Sequence, residues 1–375
     1  LYSTATIRNS IIDNQRNNVK VTNATMQAID AGFISMNYQS QIRFDNVTVR
    51  GLVGDSSSVI SAHGRSSVSI ADSTFSNNTA TSGSCIDARA PPSFTLSGST
   101  LAQSGGVVIK GMAAGASFTI SGSQIFPTKA IPGITIVNST GTVTDTTFAS
   151  NATLGLGVPG NTDQTNSGLL ISGRTSDVTI ANCSFNNLTS NIGAGVQVTS
   201  ASKISIVNST FFNNTAPIGA GVALTSVNIS MLTTNNFANN SAVKIDGKPI
   251  DMALIRIRSE LEDFGLIVNG PMKYNKTDYP YRCTCNLIGS ATAKNTFANN
   301  YAAIQGGAIS ARSAGCTVID DGVTMTNNTA GVIKGAVSSY AKTVSFNLTN
   351  NASVGGSHVV KYNASDSRLN AAAKA

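Results

Sequence analysis

The sequence is poor in charge and in aromatic side chains. Charged residues make up 11% and aromatic residues 6% of the 375 positions, tryptophan is absent, and glutamate occurs only as Glu260 and Glu262. Helical proteins need Glu, Lys and Arg on their solvent faces, so this composition does not favour helices. Ser, Thr, Asn, Gly and Ala are abundant instead, which is typical of short strands joined by tight turns. The composition therefore predicts an all-β protein.

Long apolar runs and basic clusters are also missing. No run approaches the roughly 18 residues of a membrane helix, so we expect no membrane insertion in this segment. The net charge of +7 is spread along the sequence, and aromatic residues are too few for a base-stacking platform, so we expect no nucleic-acid partner. A chain that starts without Met or a signal peptide is expected to be part of a longer protein.

Cysteine and histidine are scarce. The chain contains Cys85, Cys183, Cys283, Cys285, Cys316, His63 and His358. The Cys283-Thr284-Cys285 spacing lacks the two-residue spacer usual in zinc sites, so no metal and no cofactor is predicted. An odd number of cysteines leaves at least one thiol free or paired with another chain. In an oxidising compartment we expect a disulfide from Cys283 or Cys285 to Cys316.

One motif repeats along almost the whole chain. The segments VSIADSTFSNNTA (68–80), VTIANCSFNNLT (178–189) and ISIVNSTFFNNTA (204–216) superimpose on one large apolar residue. That anchor position is occupied by Phe75, Phe185, Phe211, Phe237, Phe297 and Met325. A small-residue signature such as GAGVQV (193–198) or GGAI (306–309) follows the anchors. A repeat of this length indicates a solenoid.

The repeat predicts a single-stranded, right-handed parallel β-helix of about a dozen coils, roughly 60 Å long. Apolar residues alternate with polar ones, which places one face of each strand in the interior. A single coil cannot bury that face, so neighbouring coils must stack. The right-handed sense follows from the usual hand of parallel crossovers. Leucine-rich repeats, propellers and sandwiches do not account for the Phe-x-Asn-Asn pattern.

The predicted organisation is a β-helix over residues 1–362 with one large insertion around 242–295. Residues 363–375 form a tail, cap or linker. The insertion brings together the best candidate binding patch, formed by Lys273, Tyr274, Tyr279, Tyr281 and Arg282. An equally weighted alternative is that 250–257 and 264–270 supply further strands, with only 271–284 looping out.

The pair FANN (297–300) and GGAI (306–309) resembles the repeats of the chlamydial polymorphic outer-membrane proteins and related β-helical surface proteins. The resemblance covers roughly residues 7–360 as fold. It implies a surface-displayed adhesive or structural role, and it carries no catalytic residues with it.

An enzymatic function is the alternative, because many β-helix proteins cut acidic polysaccharides. A resemblance to polygalacturonases would require four short motifs in a fixed order. The matching fragments are Asn161-Thr162-Asp163, Asp320-Asp321, His63-Gly64 and Arg256-Ile257-Arg258. Their order is wrong, and adjacent Asp residues at a strand end satisfy turn donors. We therefore predict no catalytic residues, with a pectin-lyase-like enzyme or carbohydrate-binding module beside the insertion as the alternative.

Sixteen Asn-x-Ser/Thr sequons occur, more than composition alone predicts, and they concentrate in the repeat turns. Candidate glycosylation residues are Asn23, Asn46, Asn77, Asn138, Asn151, Asn187, Asn208, Asn213, Asn228, Asn239, Asn275, Asn327, Asn347, Asn351 and Asn363. Asn299-Asn300 keeps the double Asn but is followed by Tyr301, so the turn itself requires the pair. Neighbouring residues face opposite ways. We therefore predict that the second Asn of each pair is laddered inside and the first is exposed.

The sequence as a whole favours a non-enzymatic, extracellular or cell-surface β-helix segment of a larger glycoprotein. Its expected partners are other segments of a longer chain, a surface or matrix assembly, and carbohydrate.

Overall fold

A computed structural model describes residues 3–13, 33–54, 57–80, 83–127, 131–150, 167–190, 192–216, 219–225, 227–242, 266–269, 285–288, 294–302, 308–312, 316–320, 323–330, 337–339 and 343–347. Within these ranges the backbone forms strands, bridges and turns, with no helix. All strand pairings between successive coils are parallel, as in a β-helix.

Sheet 1 contains 21 strands, which are a long and a short strand from most coils. Its strands are β1 Thr4–Asp13, β3 Gln41–Arg50, β6 Ser67–Ala71, β7 Thr74–Ser76, β10 Ser93–Ser97, β11 Thr100–Ala102, β13 Ser117–Ser121, β14 Gln124–Phe126, β16 Thr140–Thr144, β17 Thr147–Ala149, β19 Asp177–Ala181, β20 Ser184–Asn186, β22 Ala201–Val207, β23 Thr210–Phe212, β25 Val227–Thr233, β26 Asn236–Ala238, β29 Cys285–Ile288, β30 Asn295–Ala298, β33 Cys316–Asp320, β34 Val323–Thr326 and β37 Thr343–Asn347.

Sheet 2 contains 11 strands, which carry the small-residue signature. Its strands are β2 Ile34–Met36, β5 Ser57–Ala62, β9 Ser84–Arg89, β12 Val107–Lys110, β15 Ile134–Val137, β18 Leu169–Ser172, β21 Val196–Val198, β24 Val222–Thr225, β28 Leu266–Asn269, β32 Ile309–Arg312 and β36 Val337–Ser339. Two small sheets complete the structure, one from β4 Val53–Gly54 and β8 Thr79–Ala80, the other from β27 Ser241–Ala242, β31 Tyr301–Ala302 and β35 Thr329–Ala330.

Each coil has three corners. In one coil, β22 ends at corner 1 with Asn208, β23 ends at corner 2 with Asn213, and the chain then enters β24 in sheet 2. Corner 3 leads from sheet 2 back to the next long strand of sheet 1. Twelve long strands, from β1 to β37, confirm the prediction of about a dozen coils. The right-handed sense stays a prediction.

The anchor residues form the centre of the core. The phenyl rings of Phe148, Phe185, Phe211, Phe237 and Phe297 stack in one column with centroids 4.6–4.8 Å apart and nearly parallel planes. Each ring is fully buried. Stacked aromatic pairs contribute about 0.5–1.5 kcal/mol beyond the area that they bury, so the column stabilises the association of coils.

The segments that lead into the sheet 2 strands carry small residues because they pass close to this column of phenyl rings. A Cβ added at Gly195 would lie 2.8 Å from the Cδ1 of Phe211 and would also collide with the carbonyl oxygen of Gly221 in the next coil. The Gly-Ala-Gly sequence is therefore required because larger side chains would collide with the aromatic column and with the neighbouring backbone.

The segment 242–295 contributes strands to both sheets. Leu266–Asn269 pairs with β24 on one side and β32 on the other, and Cys285–Ile288 pairs with β25 and β33. The strand Leu266–Asn269 agrees with one part of the alternative in which 250–257 and 264–270 both supply strands, and the choice between the two alternatives stays a prediction. Residues 250–257 and the tail 363–375 lie outside the described residues.

Candidate functional site

Two rows of asparagine side chains along corners 1 and 2 are the most distinctive surface of the molecule. In most coils a residue with positive φ occupies each of these corners, and Asn adopts this left-handed conformation more easily than other residues with a side chain. The sequon asparagines whose side chains are described all have φ between 47° and 56° and all are exposed. They are Asn46, Asn77, Asn138, Asn182, Asn187, Asn208, Asn213, Asn239 and Asn327. Asn182 is the sixteenth sequon, and Asn138 lies at corner 3.

The second Asn of each pair is buried, as the sequence predicts. Asn214 is fully buried, and its Oδ1 accepts a hydrogen bond from the backbone N–H of Leu188 in the preceding coil at 3.0 Å. Its Nδ2 donates to the carbonyl of Phe185 at 2.9 Å and to the Oδ1 of Asn240 at 3.0 Å. The same pattern links Asn240 to Asn300 and Asn300 to Asn328, and we call these four residues the inner ladder.

The exposed asparagines are hydrogen-bonded to one another as well. The Nδ2 of Asn213 donates to the Oδ1 of Asn187 at 2.7 Å, and the Nδ2 of Asn208 donates to the Oδ1 of Asn182 at 2.8 Å. Sequence reasoning missed this outer row because it treated exposure as the alternative to pairing. The signal was present, since Asn182 and Asn208 are one 26-residue repeat apart.

The coil accounts for each residue of the sequon separately. In Asn213-Asn214-Thr215, the first Asn supplies the left-handed corner and the second joins the inner ladder. Thr215 forms bridges with Thr189 and Ser241 in the neighbouring coils. The fold therefore accounts for the two asparagines, whereas the third position also accepts Ser241 and Tyr301 in later coils. The first Asn remains exposed and accessible to a modifying enzyme.

Several of the predicted site residues lie outside the part of the chain that the structure describes. Asn23, Asn151, Asn275, Asn351, Asn363, Lys273, Tyr274, Tyr279, Tyr281, Arg282 and Cys283 lie outside the described residues. Asn228 and Asn347 lie within β25 and β37. The predicted binding patch therefore stays a prediction.

The strand register of the backbone bears on the predicted disulfide. Asn286 pairs in register with Thr317, which places the preceding residues, Cys285 and Cys316, side by side on adjacent coils. Of the two alternatives, this register favours Cys285 as the partner of Cys316.

Two other cysteines are structural. Burial raises the pKa of the Cys85 thiol to about 12 and that of Cys183 to about 11. Both thiols are therefore protonated at neutral pH, which makes them poor nucleophiles and poor metal ligands. Among the described side chains, no group of three or more His, Cys, Asp and Glu is placed to hold a metal ion.

The described parts of the polygalacturonase-like fragments are far apart. His63 follows β5, whereas Asp320 ends β33, about eight coils further along the solenoid. At about 4.8 Å per coil, roughly 38 Å separates them, so they cannot share one substrate bond.

No helix in the described ranges could span a membrane.

Comparison with known proteins adds no assignment. No family model, curated protein or solved structure matches the chain. The resemblance to chlamydial outer-membrane repeats thus stays an expectation based on two short motifs.

Proposed function

We propose that this chain is a rod-like scaffold of a cell surface or extracellular matrix that displays N-linked glycans from its corners. The observation that carries the proposal is the set of sequon asparagines at corners 1 and 2, each exposed and held in one backbone conformation. Glycosylation needs an accessible amide, and these rows supply it at regular intervals on a rigid support.

The interior supports a mechanical role. The stacked phenyl rings and the inner ladder both join each coil to the next. Interactions of this kind make stability a sum over neighbouring coils, which suits an elongated spacer. His63 and Asp320, the described parts of the polygalacturonase-like fragments, lie about eight coils apart, so the polysaccharide-active alternative gains no support from them.

Glycan occupancy on the rows is expected to be limited by the outer hydrogen bonds. The amides of Asn187 and Asn213 approach to 2.7 Å, and two branched glycans cannot leave amides that close without separating them. The folded protein should therefore carry at most one glycan on the Asn187/Asn213 pair and at most one on the Asn182/Asn208 pair.

Intact-mass analysis of the natural protein before and after N-glycosidase treatment, followed by glycopeptide mapping, tests the proposal. A matched variant is Tyr301→Thr, which creates a sequon at Asn299, because its register partners Ser241 and Thr329 already carry hydroxyls. Made in a glycosylating host, the variant should carry a glycan at Asn299 in molecules where Asn327, which donates to the Oδ1 of Asn299 at 3.3 Å, is unoccupied. An unmodified mass for the natural protein would refute the glycoprotein assignment.

A further inference from the structure

Corner 3 gathers basic residues that are far apart in the sequence. Lys110 is the register partner of Arg89, and the carbonyl of Lys110 accepts a hydrogen bond from the N–H of Ala90. One coil earlier, Arg65 follows Gly64, and one coil before that lies Tyr38, whose neighbour Gln39 donates to the carbonyl of Gly64. The corner 3 edge consists of Tyr38, Arg65, Arg89, Lys110, Asn138 and Arg174, one from each of six successive coils.

The charge of this edge is predominantly positive. Arg89 forms an ion pair with the Oδ2 of Asp87 at 2.8 Å, and the Asp87 side chain is only 7% exposed. Arg65 and Lys110 are exposed and make no ion pair with the described residues. Asp177, three residues after Arg174, has Lys203 as its register partner in the next coil. Arg65 and Lys110 thus add positive charge to the edge, whereas the charge of Arg89 is paired with that of Asp87.

The arginines on the outer face of sheet 1 differ from Arg65 and Lys110 at corner 3 in having carboxylates beside them. Arg8 and Arg43 both contact Asp45, at 3.3 and 3.4 Å, on the outer face of sheet 1. Arg50 contacts Asp13 at 2.6 Å on the same face. These three arginines contact two partly exposed carboxylates, whereas Arg65 and Lys110 at corner 3 contact none among the described residues.

We propose that the corner 3 edge binds a linear acidic polysaccharide, which lies along the rod and contacts successive coils. Neighbouring coils are about 4.8 Å apart, and this spacing is shorter than the Debye length of about 8 Å at physiological ionic strength. The basic residues therefore attract an extended polyanion jointly. Tyr38 is 79% exposed at one end of the edge and offers a flat ring to the apolar face of a sugar.

The chemistry of the edge favours polysaccharide over nucleic acid. Binding of single strands uses a series of aromatic side chains on which successive bases stack. Tyr38 is the one aromatic residue among the six that define the edge. The inference does not depend on glycosylation of the rows at corners 1 and 2, because the edge lies at corner 3, where Asn138 is the one sequon residue among the six.

The test measures binding of the full chain to polygalacturonate, with dextran and single-stranded DNA of similar length as comparison probes. The double variant Arg65→Ser/Lys110→Ser should bind polygalacturonate about tenfold more weakly, equivalent to about 1.4 kcal/mol. Its matched control is Arg8→Ser/Arg43→Ser, which removes the same charge from sheet 1 and should bind like the parent chain. Circular dichroism confirms that both variants are folded.

A third variant separates sugar contact from charge alone. Tyr38→Asn suits the positive φ of 58° at this position and should weaken binding while leaving the salt dependence of affinity unchanged. Binding of dextran or DNA as tight as that of polygalacturonate, an equal effect of the two double variants, or no binding by the parent chain would each overturn the proposal.

Discussion

The inner ladder can be tested by replacing Asn214 with leucine. Leu188 occupies the equivalent position one coil earlier, so leucine fits this type of position. The Asn214→Leu substitution would leave the backbone N–H of Leu188 without its acceptor and remove the donor to the carbonyl of Phe185. An orphaned buried N–H costs about 1–3 kcal/mol and one further lost hydrogen bond about 1 kcal/mol. We therefore expect a loss of about 2–4 kcal/mol in unfolding free energy.

Two further variants give the experiment its controls. Asn214→Ser keeps an acceptor, as Ser104 does for the N–H of Asn78 at 3.3 Å, and should cost less than leucine. Asn213→Gly retains the left-handed corner with φ 53° and removes only an exposed bond, so it should change stability by about 0.5 kcal/mol or less.

Urea denaturation followed by circular dichroism measures these differences, because the chain has no tryptophan for fluorescence. Hydrogen exchange at the Leu188 amide gives a local readout. If Asn214→Leu is as stable as Asn213→Gly, the buried amides do not hold the coils together and the reasoning fails.

Three other properties follow from the structure. Gly195→Ala should destabilise the protein by about 1–3 kcal/mol, because its Cβ meets Phe211, and an unchanged denaturation midpoint would show that the coil can shift. Cys85, with its pKa raised to about 12, should resist alkylation at pH 8 and react once urea unfolds the chain, and rapid reaction of the native protein would argue against burial. Peptide mapping without reduction should recover Cys285 linked to Cys316, because strands about 4.8 Å apart meet the Cα spacing of disulfides. A link through Cys283 would contradict the strand register.

The sequence predicts the interior of the solenoid well, because the same register position recurs with the same physical demand. Phe185 and Phe211 are visible as anchors at a constant interval. Leu101 and Ile125 occupy the equivalent position in earlier coils, where any large apolar side chain fills the space, so their repeats look degenerate. The inward amide of Asn214 is predictable because Asn300 keeps it where the sequon is lost.

The surface was less predictable. The corner 3 loops differ in length, so Arg65, Arg89 and Lys110 follow no fixed interval, and the sequence shows them only as scattered charges. Their adjacency depends on strand register, which the alternation pattern does not supply across a variable loop. The outer bond between Asn187 and Asn213 was missed for a different reason, because exposure and hydrogen bonding are compatible for a primary amide.

The inner ladder gives the solenoid a direction. The N–H of Asn214 is accepted by Asn240, and that of Asn240 by Asn300, so each coil depends on its successor to complete its own buried hydrogen bonds. The loss of one interior coil therefore leaves unsatisfied N–H groups on the coil before it. Damage in the middle of the array should divide it into two separately melting blocks, in the manner of a one-dimensional cooperative lattice.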